Sequence, residues 1–131
     1  MILGFDPGRD KCGIAIGDRA CQIYDHQTIA SFNAIAEIEK LIDRWAIELI
    51  VMGNLTTAND WYRQLKATFA TLTIKMVDER NSTLEARDRY WQMYPPQGLQ
   101  KLFPQSLRVP PRPIDDIVAI LLIERYLSAN T

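Results

Sequence analysis

Three acidic residues stand where an apolar stretch of the sequence begins or ends. Asp6 closes the first apolar run, Glu79 follows the apolar run 73–77, and Asp115 comes just before an apolar stretch near the end of the chain. Positions of this kind lie at the ends of strands and helices. Because ligands of open α/β sheets bind in the crevice outside the carboxyl ends of the strands, these carboxylates are the first candidates for a functional site.

Each carboxylate taken alone has a simpler explanation. Asp6 can form a turn with Pro7 and Gly8, Asp115 can cap a helix, and Glu79 can pair with a surface cation. Converging carboxylates repel one another, however, unless a cation shares their site. Magnesium prefers oxygen ligands, and two such ions about 4 Å apart can activate water and stabilise the leaving oxygen in phosphodiester cleavage.

Other catalytic side chains are scarce. The chain has one histidine, His26, and two cysteines, Cys12 and Cys21, which together cannot complete a four-ligand zinc site of the usual kinds. We expect both cysteines to be buried, reduced and unreactive. A disulfide across a hairpin is the less favoured alternative, because a cytosolic setting opposes it.

Length and composition predict one soluble domain over residues 1–131, with enough apolar residues, 47%, to build a core. The formal charge of −1 excludes a uniformly cationic surface as the means of binding nucleic acid. No apolar run approaches about 18 residues, so we expect no membrane span and a cytoplasmic protein.

Hydrophobic patterns predict the elements that carry the carboxylates. They indicate strands at 2–5, 13–17, 21–29, 49–53 and 73–77, and helices from Ser31, from Asn59 or Asp60, from Ser82, and from about Ile114 to Leu127. Ser82 and Glu85 have the spacing of a capping box. The order predicts an α/β fold of the ribonuclease H type: a mixed five-stranded sheet, an antiparallel meander followed by parallel strands, with helices on both faces.

Basic residues flank the proposed site. Segment 94–113 holds six of the seven prolines and three basic residues without an acidic one, which predicts a stiff loop of charge +3. The residues that could contact nucleic-acid phosphates are Arg9, Lys11, Arg80, Arg87, Lys101, Arg108 and Arg112. Aromatic residues that could stack on bases, or simply fill the core, are Trp61, Tyr90, Trp91 and Tyr94.

Several motifs are similar to those of a known family. The opening Ile2-Leu3-Gly4-Phe5-Asp6-Pro7-Gly8, the segment Asp78-Glu79-Arg80 and the pair Ile114-Asp115 resemble the YqgF/RuvX group of Holliday-junction resolvases, which belongs with RuvC in the ribonuclease H-like superfamily. The resemblance runs nearly end to end, and the Asp-Glu-Arg segment is its most specific part.

The resemblance implies that Asp6, Glu79 and Asp115 are metal-binding catalytic carboxylates that cut structured nucleic acid with Mg²⁺ or Mn²⁺. Asp116 competes for the third role, because neighbours on a helix point about 100° apart and only one can face the strands. Two segments depart from the family pattern: Arg9 replaces a usual Thr or Ser, and Asn54-Leu55-Thr56-Thr57 replaces a loop with Pro and a second Gly. Substrate choice depends on such loops.

The leading hypothesis is therefore a metal-dependent endonuclease acting on Holliday-junction DNA or on precursor small-subunit rRNA, which family members help to mature. The alternative is a non-catalytic nucleic-acid-binding or ribosome-assembly module with the same fold. Phosphotransfer is a third reading, because residues 6–13 also resemble a phosphate loop of the actin and sugar-kinase superfamily, but the chain length disfavours it. A resolvase of the RuvC kind needs two active sites, hence a homodimer, whereas a monomer favours RNA processing.

Overall fold

The computed structural model describes residues 1–55 and 57–130 and is built on a five-stranded sheet in the order β3-β2-β1-β4-β5. The strands are β1 (Ile2–Asp6), β2 (Lys11–Gly17), β3 (Ile23–Ala30), β4 (Leu49–Gly53) and β5 (Thr73–Val77). β2 runs antiparallel to both β1 and β3, whereas β4 runs parallel to both β1 and β5. The predicted mixed sheet is confirmed.

Helices cover both faces of this sheet, as predicted. They are α1 (Ala34–Trp45), α2 (Ala58–Thr68), α3 (Ser82–Met93) and α4 (Asp115–Ala129). One core unites side chains of α1 and α2 with Phe5 and Ile14, and a second unites α4 with Ile2 and Val51 on the opposite face. α3 packs against α4 through Tyr90, Trp91 and their neighbours.

Glycines let α4 lie directly on β1 and β2. A Cβ atom on Gly4 would collide with the backbone carbonyl of Ala119, and one on Gly13 would collide with the backbone of Asp115. Residues Asp116 to Ile123 of α4 are all buried, which explains why this helix is apolar almost all round. The close approach fixes the start of α4 over β2.

The predicted capping box at Ser82 is wrong, although the helix does begin there. The residue before the helix is Asn81, in the left-handed region with φ of 61°, and no side chain caps the helix. A tight turn, in which the Ser82 N–H donates to the Glu79 carbonyl at 2.9 Å, places Ser82 inside the helix, where it is buried. Glu85 instead pairs with Arg125 at 3.0 Å.

Other local predictions also need correction. Cys12 is buried as predicted, whereas Cys21 is exposed. Cys21 lies in the turn before β3, with its backbone in the left-handed region (φ 66°). Neither cysteine forms a disulfide. α2 begins at Ala58, ahead of both predicted caps. Segment 94–113 contains two short 3-10 helices, at Gly98–Leu102 and Gln105–Leu107. No helix within 1–55 or 57–130 is long and apolar enough to cross a membrane.

The contact between Gly4 and α4 predicts a large effect on stability. Gly4→Ala should lower the free energy of unfolding by about 2–3 kcal/mol, because the added methyl group meets rigid helix backbone rather than a movable side chain. Urea denaturation followed by circular dichroism measures this. Gly98→Ala, whose Cβ enters open space at φ 57°, is the control and should cost only about 1 kcal/mol. Equal losses in the two variants would contradict the packing described.

Candidate active site

The three carboxylates singled out from the sequence meet at one end of the sheet. Asp6 is the last residue of β1, Asp115 is the first residue of α4, and Glu79 lies two residues beyond β5. The carboxyl of Asp6 lies close enough to the carboxyls of Glu79 and Asp115 for both to raise its pKa. Glu79 is only 5% exposed. Asp6 is therefore the centre of the cluster, with one partner on each side.

Two glycines flank Asp6 in the sheet and make room for those partners. On one side Asp6 pairs with Gly13 of β2, and on the other Gly53 follows Met52, the β4 partner of Phe5. A Cβ atom on Gly53 would occupy the place of the Glu79 carboxyl, and one on Gly13 the place of the Asp115 backbone. The carboxylates can converge because the strands on either side of Asp6 lack side chains there.

The loop after β4 holds Glu79 in position. The backbone N–H of Leu55 donates to Glu79 Oε2 at 3.3 Å, and the N–H of Glu79 donates to Asn54 Oδ1 at the same distance. Asn54 and Leu55 belong to the loop that departs from the family pattern, and Thr56 lies outside the described residues. The altered loop thus supplies contacts that orient one of the three carboxylates.

Crowding changes the acidity of the cluster. The pKa of Asp6 is raised from its ordinary 3.8 to about 9, chiefly by burial and then by the neighbouring carboxyls of Glu79 and Asp115. Burial also raises the pKa of Asp115, followed by the charge of Asp116, whereas its own backbone N–H and Lys11 act in the opposite direction. The protein alone therefore disfavours three ionised carboxylates in this space.

A hard divalent cation fits this set of donors, because carboxylate oxygens are its preferred ligands and its charge would relieve their repulsion. The residues that would hold it are Asp6, Glu79 and Asp115. In their present arrangement, no three His, Cys, Asp or Glu side chains within residues 1–55 and 57–130 are placed to hold a metal ion together. Metal binding therefore remains a prediction.

Asp116 has different partners from Asp115. Its Oδ2 lies 2.7 Å from His26 Nδ1, and its Oδ1 accepts a hydrogen bond from Arg112 Nη1 at 3.0 Å. The side chain is buried, and the positive charge of Arg112 balances that of the carboxylate. Asp115, in contrast, acts on the pKa of Asp6. Sequence reasoning missed this network, because His26 and Asp116 are 90 residues apart and no local pattern links them.

The seven basic residues proposed to contact nucleic acid fall into two groups. Four are exposed: Arg9, Lys11, Arg80 and Lys101. The other three are half-buried and donate to protein carbonyls: Arg87 to Arg108, Arg108 to Gln100 and Phe103, and Arg112 to Pro113. Lys11 lies close enough to Asp115 to lower its pKa. Contact of any of them with nucleic acid remains a prediction.

The four aromatic residues proposed to stack on bases also differ in how far their rings are exposed. Trp61 packs edge-on against Phe5, with ring centroids 5.3 Å apart, and both Tyr90 and Trp91 are buried. Tyr94 is 42% exposed. Of these four, Tyr94 is thus the one whose ring is open to a ligand.

A mixed sheet in this order, with helices on both faces and carboxyls at the end of its first strand, defines a ribonuclease H-like protein. A solved structure supports this fold: the Fowlpox virus resolvase in complex with Holliday junction DNA superposes with a TM-score of 0.60 at 14% identity, over 98% of this chain and 97% of that one.

Sequence comparison identifies the family. Residues 1–129 match the family model described as "RuvX: Holliday junction resolvase". Two relatives carry the name "Putative pre-16S rRNA nuclease": one from Coxiella burnetii (strain Dugway 5J108-111), 31% identical over 98% of this chain and 92% of its own, and one from Pseudomonas putida (strain KT2440), 30% identical over 100% and 96%. The chain belongs to the RuvX family of Holliday junction resolvases, as the motifs predicted.

The crowding of Asp6 predicts a pH-dependent effect of Asp6→Asn on metal-free protein. Because the pKa of Asp6 is higher in the folded state, its contribution to stability is complete below its ordinary pKa and is lost as pH rises toward 9. In the presence of a metal chelator, Asp6→Asn should therefore raise Tm by about 5 °C at pH 8.5. The increase should be smaller at pH 5, where less of the contribution of Asp6 has been lost. Calorimetry measures both, with the exposed Asp43→Asn as control. A lower Tm at both pH values would contradict the crowding.

Proposed function

We propose that this chain is a metal-dependent endonuclease that hydrolyses phosphodiester bonds in structured nucleic acid. The observation that carries the proposal is the convergence of three carboxyls at one end of the sheet: Asp6 ends β1, and Glu79 and Asp115 pack on the glycines of the two neighbouring strands. Membership of a resolvase family supports nuclease chemistry. The proposed cofactor is Mg²⁺ or Mn²⁺, which the same three carboxylates would hold.

The residues of the site have separate tasks in this mechanism. When bound, a divalent ion would supply activation of water and stabilisation of the leaving oxygen. Asp6, at the end of β1, would provide the central oxygen ligand. Glu79 is oriented by the Leu55 N–H, and Asp115 is fixed by the seating of α4 on Gly13. Because the three groups come from different elements, their geometry depends on the whole sheet.

Two nucleic acids are the proposed substrates. The family description supports Holliday-junction DNA, and the names of the relatives support precursor small-subunit rRNA. The exposed Arg9, Lys11 and Arg80 would bind phosphates of either one without reading sequence. Symmetric cutting of a junction requires two active sites and hence a homodimer, whereas RNA processing is compatible with a monomer.

The direct test is a cleavage assay with both substrates. With Mg²⁺ or Mn²⁺, purified protein should cut a four-way DNA junction or precursor small-subunit rRNA, and should leave linear duplex DNA intact. Asp6→Asn should reduce the rate by about a thousandfold, or about 4 kcal/mol of transition-state stabilisation, because it removes the central ligand. Gel electrophoresis of end-labelled substrates measures both rates.

Two results would overturn the proposal. One is that neither substrate is cut with either metal, and the other is that Asp6→Asn cuts as fast as the wild type. Tight, salt-sensitive binding without cleavage would instead favour a non-catalytic nucleic-acid-binding or ribosome-assembly module.

Gly53 provides a second, more selective test. In Gly53→Ala the methyl group would take the space of the Glu79 carboxyl, a flexible group that can move aside. The protein should therefore keep its fold, yet lose cleavage by about a hundredfold because the carboxylate is misplaced.

The matched control is Gly17→Ala. This glycine also lies in a strand beneath α4, but at the far end of β2, where the new methyl group would meet the side chain of Ile23. It should leave the cleavage rate unchanged. Full activity in Gly53→Ala would show that the position of Glu79 over Gly53 is not required.

A further inference from the structure

A cavity of about 590 Å³ lies beside the carboxylates, between β3 and the segment that leads into α4. Its lining includes Lys11, His26, Thr28, Tyr94, Arg112 and Asp116. The volume falls within the range of about 300–1,000 Å³ typical of small-molecule sites. No step of the mechanism above uses it.

The cavity adjoins the candidate active site. Thr28 of β3 pairs with Gly13 of β2, which in turn pairs with Asp6 of β1. Neighbouring strands are about 4.8 Å apart, so Thr28 lies about 10 Å from Asp6 across the sheet. Lys11 lines the cavity and also influences Asp115, and Asp116 follows Asp115 in the chain. A nucleic-acid strand with a phosphate at Asp6 thus has an adjacent nucleotide within reach of the cavity.

Thr28 offers an unused hydrogen-bonding group. Its hydroxyl oxygen is buried and has no hydrogen-bond partner in the described part of the chain. Buried hydroxyls are normally paired, because leaving one unpaired costs about 1–3 kcal/mol. The oxygen is closed off from solvent in this conformation, so a ligand in the cavity would become its partner when the Thr28 side chain turns to another staggered rotamer.

The remaining lining suits a flat, aromatic group attached to an anionic backbone. The ring of Tyr94 is 42% exposed, and the guanidinium of Arg112 lies 5.5 Å from its centroid. Lys11 brings positive charge beside the exposed Asp10, and Arg112 shares its charge between the carboxylate of Asp116 and the ring of Tyr94. Bases stack on aromatic side chains, and basic residues attract the phosphates between them.

We propose that this cavity binds one unpaired nucleobase of the strand whose phosphate lies at Asp6. The inference rests on the proposed function and gives it a substrate feature: an unpaired nucleotide next to the cleaved bond. Paired bases are stacked inside a duplex and cannot enter such a cavity. The site would therefore select junction points, loops and single-stranded extensions over continuous duplex.

Thr28→Val tests the hydroxyl, because it keeps the shape of the side chain. Removing an unpaired buried hydroxyl should raise Tm by about 3 °C, while weakening nucleic-acid binding by about fivefold. Tyr94→Ala should weaken binding by about tenfold through lost stacking. The controls are Thr73→Val on β5 and Tyr24→Ala, a tyrosine of similar exposure that packs against Trp45 on the other face of the sheet.

Binding is measured by fluorescence anisotropy in chelator, with a labelled four-way DNA junction and a labelled RNA hairpin carrying a single-stranded 5′ extension. A single abasic site is moved along each strand through the cleavage point. We expect one abasic position to weaken binding by about tenfold, and Thr28→Val and Tyr94→Ala to lose that dependence. The controls should keep it.

The outcomes separate this inference from the proposed function. If the wild type cleaves but every abasic position binds equally, or if Thr28→Val raises Tm without weakening binding, the cavity does not bind a base and the nuclease proposal stands. If one abasic position matters but no metal supports cleavage, the base site stands and the nuclease proposal fails. If neither nucleic acid is bound, both are overturned.

Discussion

Asp6 occupies a row of the sheet in which both neighbouring positions lack side chains. Gly13 leaves space for the backbone at the start of α4, and Gly53 leaves space for the carboxyl of Glu79. Two groups from distant parts of the sequence can therefore reach the end of β1. A side chain at either glycine would move Glu79 or Asp115 away from Asp6. The candidate site therefore depends on these two glycines as much as on the acidic residues.

In this arrangement, repulsion between carboxylates acts against the packing of α4 on the sheet. Burial, Glu79 and Asp115 raise the pKa of Asp6, whereas burial and the charge of Asp116 raise the pKa of Asp115. The seating of α4, whose residues from Asp116 to Ile123 are buried, keeps Asp115 in place despite that cost. Active sites commonly lower the free energy of unfolding of a protein, and a bound cation would raise it again in part. The charge of Asp116 also acts on Asp115 and raises its pKa, although His26 and Arg112 contact the Asp116 carboxyl.

The order of strands and helices along the chain and the three acidic positions were accessible from the sequence, because each depends on local periodicity or on an element end. The apolar run Leu49–Gly53 predicted a doubly covered strand, and the structure confirms it. The His26–Asp116 pair was not accessible, since it depends on tertiary contact. The capping box at Ser82 failed because a tight turn from Glu79 competes for the same backbone. Gly53, at the end of a buried strand, was a usable indication of close approach that sequence reasoning passed over.

The central claim is that Asp6, Glu79 and Asp115 together hold a divalent cation. Diffraction from crystals grown with Mn²⁺, recorded where manganese scatters anomalously, tests it most directly. The account predicts an anomalous peak within coordinating distance of carboxyl oxygens from all three residues, and its loss in crystals of Asp6→Asn. A peak bound elsewhere, or none at millimolar Mn²⁺, would contradict the account.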